Sequence, residues 1–405
     1  MAALALGLVS AAIQARVLGP VGRGELALAM VPGTLLAMLL CFGLPDYFAR
    51  RAAQGTDPSE LSKLAALLSI GIALVFAAPY AVLAEFQSPV GSDAWWILLL
   101  YAIGVPIFVY GYSLTGILLG AGSWKLVAAL RVAPLVLIVV GLTVIALFVN
   151  APTPLTVGIL LVTVSALGPL GSLVKPELRP RGSISWTMAR EALGFGLRGW
   201  FAGAVALLNQ RIDLLLVTFI ASAGGIGLYA VSTSLAAVLA GIANAIAMPA
   251  RNKVTRGERH GVATAVSLTM LIAVTVATAV TLCLPMLIHV VLGDQFLAAA
   301  PVMTVLLFAQ VPLAGVIVLT QCLIGVGRPG SPFAGELLAF FTTIILTLLY
   351  FPTFGILAAA LATGVGNLIS LFVLLALAQK HIFGQPLWRY FFIPPTRLIS
   401  IVRGR

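Results

Sequence analysis

The chain has 405 residues, of which 61% are hydrophobic and only 9% are charged, and its formal net charge is +11. Because soluble domains carry charge on about 25% of their residues, this composition excludes an ordinary soluble protein and indicates an integral membrane protein. A positive balance is typical of loops that face anionic lipid, and no basic stripe with interleaved aromatic residues suggests nucleic acid as a partner. The three cysteines lie in apolar runs without metal or redox spacing, so neither a metal nor a cofactor is predicted.

Twelve apolar segments are long enough to cross the membrane as helices, which requires about 20 residues each. They lie at residues 1–18, 25–45, 61–84, 94–120, 125–149, 154–174, 191–218, 225–249, 261–292, 297–325, 332–351 and 354–379. The segments are too long and too uniformly apolar for the alternating strands of a membrane barrel. The predicted fold is therefore an all-α integral membrane bundle of about twelve transmembrane helices.

Lysine and arginine are distributed unequally between the two sides of this predicted bundle. Loops after even-numbered spans, together with the C-terminal tail, hold 18 of the 23 basic residues. Loops after odd-numbered spans hold only Arg16 and Arg23, and Arg131, Arg198 and Arg211 fall within spans. Because positively charged loops remain in the cytoplasm, both termini are predicted to be cytoplasmic.

The two halves of the sequence repeat at a nearly constant offset. The hexapeptide GELALA at 24–29 returns as GLYAVS at 227–232, and LGAG at 119–122 returns as IGVG at 324–327. Leu44–Pro45 and Met248–Pro249 close the predicted spans two and eight. Each half holds an even number of spans, so the copies share one orientation and should be related by an axis along the membrane normal.

This repeat predicts two pseudo-symmetric six-helix lobes with a cavity between them, which is the plan of a transporter. The predicted organisation is an N-lobe at 1–174, a cytoplasmic linker at 175–190, a C-lobe at 191–379 and a basic amphipathic cytoplasmic tail at 380–405.

The segment ARVLGPVGRGELALA at 15–29 interrupts the apolar sequence with glycine, proline and arginine. It begins a GxGxxG pattern at Gly22 but has Ala27 in place of the third glycine, and no GK[ST] follows, so a phosphate-binding loop is not indicated. Glycines permit tight reversal of the chain and close packing of helices. We therefore expect an outer turn between spans one and two, matched by residues 221–227 between spans seven and eight.

Several motifs together resemble one family. They are ARVLGPVGRGE, LPDYFARRA, NQRIDLLL, GGIGLYAVS, GDQFLAAAPVMTVLLFAQ and LIGVGRP. The chain resembles the polysaccharide-biosynthesis flippases, which carry O-antigen and similar repeat units and belong to the multidrug/oligosaccharidyl-lipid/polysaccharide exporter (MOP) superfamily. The resemblance implies two lobes that open alternately to the two sides of a bacterial inner membrane, and an undecaprenyl-diphosphate-linked oligosaccharide as substrate. The twelve predicted helices lack the extra pair of the related lipid II flippase, which argues against lipid II itself.

Three arginines within or near the spans are candidates to bind the diphosphate. A charge at the middle of a membrane costs about 2.5–3.5 kcal/mol and therefore faces a cavity or a partner, and the arginine fork grips phosphate oxygens. The candidates are Arg16, Arg198 and Arg211. Arg16 also matches the position at which the related lipid II flippase keeps a cavity arginine. The alternative for Arg16 and Arg211 is that each side chain extends to the outer headgroups.

Two further polar residues accompany these arginines. Asn209 and Asp213 are four residues apart and would share a helix face, whereas Arg211 would point away from both. Asp213 is a candidate for coupling to a proton or sodium ion or for binding sugar hydroxyls, and its alternative is a structural partner on another span.

Arg131 and Glu336 differ by 205 positions, which makes them equivalent positions of opposite charge in the repeat. We expect a salt bridge between the lobes that helps to close the inner gate. The alternative is that each side chain reaches the headgroups separately.

Other functions remain open at this stage. A multidrug or cation antiporter of the same superfamily would have the same fold, although cationic drugs favour buried carboxylates and the charged residues within these spans are mainly arginines. A membrane glycosyltransferase or ligase would need acidic or histidine residues on sizeable outer loops, and the predicted outer loops are short turns. We therefore predict no enzymatic activity.

Overall fold

The computed structural model describes residues 2–181, 185–259, 261–328 and 330–383, and these residues form helices and no strands. The α-helices, in chain order, are α1 (Ala2–Leu39), α2 (Leu44–Ala53), α3 (Pro58–Gln87), α4 (Asp93–Gly120), α5 (Trp124–Phe148), α6 (Pro154–Leu167), α7 (Trp186–Asn209), α8 (Ile212–Ile220), α9 (Ala223–Thr255), α10 (Val262–Leu282), α11 (Leu284–Leu287), α12 (Ala300–Gly325), α13 (Pro332–Phe354) and α14 (Ile356–Ala378). Short 3-10 or π turns lie at Gly168–Val174, Pro176–Leu178, Ile288–Leu292, Asp294–Ala299 and Gln379–Phe383. Most of the predicted tail, from residue 384 onward, lies outside the described residues.

The predicted spans coincide with helices of this fold. Within the described residues, nine helical segments are long and apolar enough to cross a membrane, and α6 is a shorter apolar helix. The predicted spans one and two merge into α1, which the left-handed Gly19 (φ 67°) divides into two helical parts. The all-helical membrane fold is confirmed, whereas the count of twelve spans and the location of the termini stay predictions.

The turn predicted at residues 19–24 involves fewer residues than expected. Helical geometry breaks only at Gly19, and the helix resumes at Pro20, because proline suits the first position of a helix. Leu44–Pro45, predicted to close span two, instead begins α2 after the left-handed Gly43 (φ 68°). Its repeat partner Pro249 lies inside the continuous helix α9. The two copies therefore differ locally.

Other repeat positions have equivalent backbone conformations. Helices α4 and α12 each end two residues before a left-handed glycine, Gly122 (φ 71°) or Gly327 (φ 83°). These glycines occupy matching places in the LGAG and IGVG motifs. The left-handed conformation explains why glycine stands at both positions, since other residues adopt it at a cost.

The first repeat motif forms a close and reciprocal helix contact. A Cβ atom on Gly24 would lie 1.7 Å from the carbonyl oxygen of Ala223, and a Cβ atom on Gly227 would lie 1.9 Å from that of Pro20. Each glycine thus faces the residue four positions before the other glycine. The backbones of α1 and the start of α9 therefore touch where only glycine fits.

We expect Gly24→Ala to lower the thermal unfolding midpoint of the detergent-purified protein, because the new methyl group forces two backbones apart; overpacking costs about 1–3 kcal/mol. Gly7→Ala in the same helix is the control, since no atom lies within 4 Å of its added methyl group. Equal unfolding midpoints for the two variants would contradict the close contact.

The described chain divides into two compact units. One contains the described residues up to Val231 together with His289–Leu297, and the other contains Ser232–Ile288 and the described residues from Ala298 onward. The first unit has apolar cores around Leu44 and Phe48 and around Leu98 and Tyr101. The second has a core of α9, α10, α12 and α14 side chains. The lobe boundaries inferred from the repeat stay a prediction.

Candidate functional site

Helices α2 and α7 line an open cavity of about 760 Å³ in the first unit. From α2 it is lined by residues at positions 47, 50, 51 and 54, and from α7 by residues at positions 187, 190, 191, 194 and 195. Both sets follow the spacing of three and four residues that places side chains on one helix face. We call it the basic cavity, because its described lining includes Arg50, Arg51 and Arg190 and one carboxylate, Glu191. Three guanidinium groups and one carboxylate leave it a net charge of +2.

One of the three arginines is engaged by its neighbours. Arg51 forms an ion pair with Glu191, and its Nε donates to the Tyr47 hydroxyl oxygen at 3.2 Å. The Tyr47 hydroxyl in turn lies 3.3 Å from the Met188 carbonyl oxygen, to which it donates. The hydrogen bonds with Tyr47 and Glu191 raise the pKa of Arg51, so its charge is permanent. This network joins α2 to α7.

The other two arginines have no carboxylate partner among the described residues. Arg50 and Arg190 are exposed, and neither forms a salt bridge within the described part of the chain. Arg50 lies over the Phe195 ring, with its Cζ atom 5.7 Å from the ring centroid. The basic cavity therefore presents two cationic forks to an anionic ligand.

A second cavity of about 670 Å³ adjoins the first and shares Arg50 and Phe195 with it. We call it the aromatic cavity. Its other lining residues come from the end of α1, the start of α2 and the middle of α7: Met38, Leu39, Gly43, Asp46, Gly196, Trp200, Ala204 and Leu207. Both volumes fall within the range of about 300–1,000 Å³ that is usual for ligand pockets.

The indole of Trp200 is held in place at the aromatic cavity. Its Nε1 donates to the Leu39 carbonyl oxygen at 2.6 Å, and its ring centroid lies 5.3 Å from that of Phe42. This approach depends on Gly196, because a Cβ atom there would lie 1.9 Å from the Phe42 carbonyl oxygen. The glycine lets α7 pack directly on the turn that precedes α2.

Two of the residues predicted to bind substrate, Arg16 and Asp213, lie elsewhere in the first unit. Arg16 is exposed and its Nη2 donates to the Val290 carbonyl oxygen at 2.6 Å. Asp213 is 6% exposed and accepts a hydrogen bond from the Tyr229 hydroxyl at 2.8 Å. The backbone of Arg198 belongs to α7, but its side chain lies outside the described part of the structure. Neither Arg16 nor Asp213 lines the two cavities.

The predicted helix face shared by Asn209 and Asp213 is interrupted. Helix α7 ends at Asn209 and α8 begins at Ile212, and Arg211 between them has non-helical geometry (φ −136°, ψ 0°). The spacing argument assumed one continuous helix and is therefore wrong for this pair. Arg211 is exposed, and these three residues surround a helix break that lines neither cavity.

The predicted gate residues lie in different units. Arg131 is exposed on α5, and Glu336 is half-buried on α13. Their pairing stays a prediction.

The cavity arginines Arg50, Arg51 and Arg190 were not predicted as site residues, because their positions between apolar spans indicate only positively charged cytoplasmic loops. A signal was present: in residues 44–53, apolar Leu44, Tyr47 and Phe48 recur at helical spacing. That pattern indicates a short amphipathic helix at the site where a loop was assumed.

Comparisons with known proteins agree with this architecture. A family model described as polysaccharide biosynthesis protein matches residues 13–301. No curated protein sequence matches the chain.

Several solved structures share the fold. A lipid II flippase MurJ in an inward closed conformation superposes with a TM-score of 0.76 at 13% identity, covering 93% of this chain and 86% of that one. An inward-facing multidrug resistance MATE family transporter of the MOP superfamily gives 0.74 at 16% identity, covering 94% and 95%. A MOP superfamily transporter from Pyrococcus furiosus, described as having a binding pocket of reverse polarity that suggests a different function, gives 0.58 at 14% identity, covering 95% and 93%. At these identities the likeness establishes the fold. Because the family model spans well over half of the chain, this protein belongs to the polysaccharide biosynthesis protein family and has the fold of the MOP-superfamily transporters.

Proposed function

We propose that this protein is a flippase that moves an undecaprenyl-diphosphate-linked oligosaccharide, such as an O-antigen, capsule or exopolysaccharide repeat unit, across a bacterial inner membrane. The observation that carries the proposal is the basic cavity, where the described lining residues give a net charge of +2 and two arginines have no carboxylate partner in the described part of the chain. A diphosphate linkage carries a negative charge on each phosphate. Arginine forks bind phosphate oxygens in a bidentate manner, so the charge and the donor groups of this cavity suit the headgroup.

The polarity of the cavity also separates this function from that of a drug exporter. The fold is shared with multidrug transporters, so the fold alone does not distinguish the two substrates. A cationic drug requires an excess of carboxylates, whereas Arg51 already engages the only carboxylate among the described residues that line the basic cavity. The second candidate, a multidrug or cation antiporter, is favoured only by the shared fold and by Asp46 in the aromatic cavity.

Transport by alternating access requires further steps beyond this cavity. We place the basic cavity on the cytoplasmic side, where the positive-charge count puts α2 and the start of α7. Arg16, Arg198 and Arg211, with Asn209, then bind the headgroup later on its path. Asp213 is the candidate for coupling to a proton or sodium ion, because its carboxylate is buried and accepts from Tyr229.

The proposed closing contact between Arg131 and Glu336 has its own test. We expect Arg131→Glu and Glu336→Arg each to reduce transport about tenfold, and the double variant to recover it, because opposite charges meet again in the swap. Glycan export at equal protein level is the measurement. A double variant as inactive as the single ones would contradict the gate.

The direct test of function uses the purified protein in liposomes. A fluorescent undecaprenyl-diphosphate oligosaccharide is placed in one leaflet and its appearance in the other is followed; ethidium uptake is followed in parallel. We expect lipid movement that exceeds that of empty liposomes and no movement of ethidium. Ethidium movement without lipid movement would establish the antiporter instead.

A further inference from the structure

We propose that the aromatic cavity binds the sugar residue attached to the diphosphate, with Trp200 and Asp46 as the residues that recognise it. The inference rests on the proposed function and extends it, because it assigns a part of the substrate to a cavity that the diphosphate does not need. It makes this cavity the place where the carrier distinguishes a glycosylated lipid from an unglycosylated one.

The aromatic cavity lies next to the basic cavity. They share the lining residues Arg50 and Phe195, so the two spaces lie next to each other and Arg50 borders both of them. In the substrate the first sugar is bonded directly to one phosphate. When Arg50 and Arg190 hold the diphosphate, the neighbouring space is therefore within reach of a group bonded to one of its phosphates.

The residues that line the aromatic cavity have the chemistry of a sugar-binding site. A sugar ring has an apolar C–H face and a rim of hydroxyl groups. Trp200 offers a large ring surface that is already fixed by the Leu39 carbonyl and by Phe42, so little side-chain entropy is lost on binding. Asp46 lies in the first turn of α2, is exposed, and forms no salt bridge in the described part of the chain. Its carboxylate accepts hydrogen bonds from hydroxyl groups.

The same lining disfavours the other candidate occupants. The polyprenyl chain is bonded to the opposite phosphate, and packing it over Asp46 would remove water from a carboxylate without replacing the lost hydrogen bonds. A cationic drug would meet the guanidinium group of Arg50, which lines both cavities. A neutral polyol bonded to an anionic group satisfies both charged residues at once.

The test measures binding of two lipid probes to the full-length protein in lipid nanodiscs by native mass spectrometry. The probes are undecaprenyl diphosphate N-acetylglucosamine and undecaprenyl diphosphate without sugar. Each variant is compared with the wild type on the same probe, because the sugar-free lipid has an additional ionisable oxygen. The variants are Trp200→Ala, Trp200→Phe, Asp46→Asn and Arg190→Ala.

Matched controls come from the same helix types. Glu60→Gln removes a carboxylate from the first turn of α3, and Trp186→Ala removes an exposed tryptophan from α7; neither residue lines either cavity. Retained binding of the sugar-free probe reports that a variant is folded. Asp46→Asn preserves the shape of an exposed side chain, so it tests the inference even if Trp200→Ala fails to fold.

We expect Trp200→Ala and Asp46→Asn each to weaken binding of the sugar-bearing probe about tenfold, with the sugar-free probe unchanged. Trp200→Phe keeps a ring and should retain most of the affinity. Equal weakening for both probes, or no weakening for either, overturns the inference while the proposed function stands. A wild-type protein that binds neither probe, or an Arg190→Ala variant that changes neither affinity, overturns the proposed function and this inference with it.

Discussion

Replacing both Arg50 and Arg190 by alanine is expected to reduce lipid movement at least about 100-fold, because each charge-assisted hydrogen bond to phosphate contributes roughly 1.5–3 kcal/mol. These are the two cavity arginines without a carboxylate partner in the described chain, so their side chains are available to the headgroup. The measurement is the liposome assay, together with glycan export in a strain that lacks its own flippase. Each single substitution should lose about tenfold.

The matched control removes the same charge elsewhere on the predicted cytoplasmic side. Arg256 and Arg259 are exposed in the connection after α9 and line neither cavity. The double variant Arg256→Ala/Arg259→Ala should transport normally at equal protein level. Similar losses in the two double variants would mean that net charge, and not the cavity, determines transport.

The double variant Arg51→Glu/Glu191→Arg is expected to transport normally, whereas each single variant is expected to lose transport. Arg51→Glu lowers the net charge of the basic cavity from +2 to zero, and Glu191→Arg raises it to +4 and places like charges on α2 and α7. We expect losses of about tenfold or more in each single variant, from electrostatic mismatch with the diphosphate and repulsion between the helices. The double variant restores both the pair and the charge of +2.

Stability measurements separate this explanation from misfolding. The Arg51 and Glu191 side chains are 31% and 56% exposed, and pairs of this kind contribute about 0–1 kcal/mol to folding. The thermal unfolding midpoints of all three variants should therefore lie close to that of the wild type. A charge swap that folds normally and stays inactive would show that the pair has a role tied to the identity of each residue.

The helical membrane fold was predictable because its cause is local. An apolar segment of about 20 residues must satisfy its backbone hydrogen bonds internally, so it becomes a helix wherever it lies in the chain. The predicted spans accordingly coincide with helices, and the repeat motifs place left-handed glycines at Gly122 and Gly327. The family resemblance, carried by short motifs, was confirmed by the match over residues 13–301.

The incorrect predictions concern segments whose conformation is determined by tertiary packing and not by the local sequence pattern. Residues 44–53 are polar enough to read as a loop, yet they form α2 because Leu44 and Phe48 bury themselves in the core of the first unit. The helix break between Asn209 and Ile212 contains no proline or glycine from which it could be predicted. Prediction of a shared face for Asn209 and Asp213 failed for that reason.

Composition and hydrophobic length alone were sufficient to define a basic, all-helical membrane protein, because a long apolar segment forms a helix in lipid wherever it lies in the chain. The cavities depended on contacts between residues about 140 to 160 positions apart, such as Arg51 with Glu191 and Trp200 with Leu39. No local sequence pattern predicts that α7 packs against the turn before α2. This packing requires glycine at position 196, because a side chain there would collide with the Phe42 carbonyl oxygen. Only the tertiary structure shows that three arginines from segments predicted as loops line the same cavity.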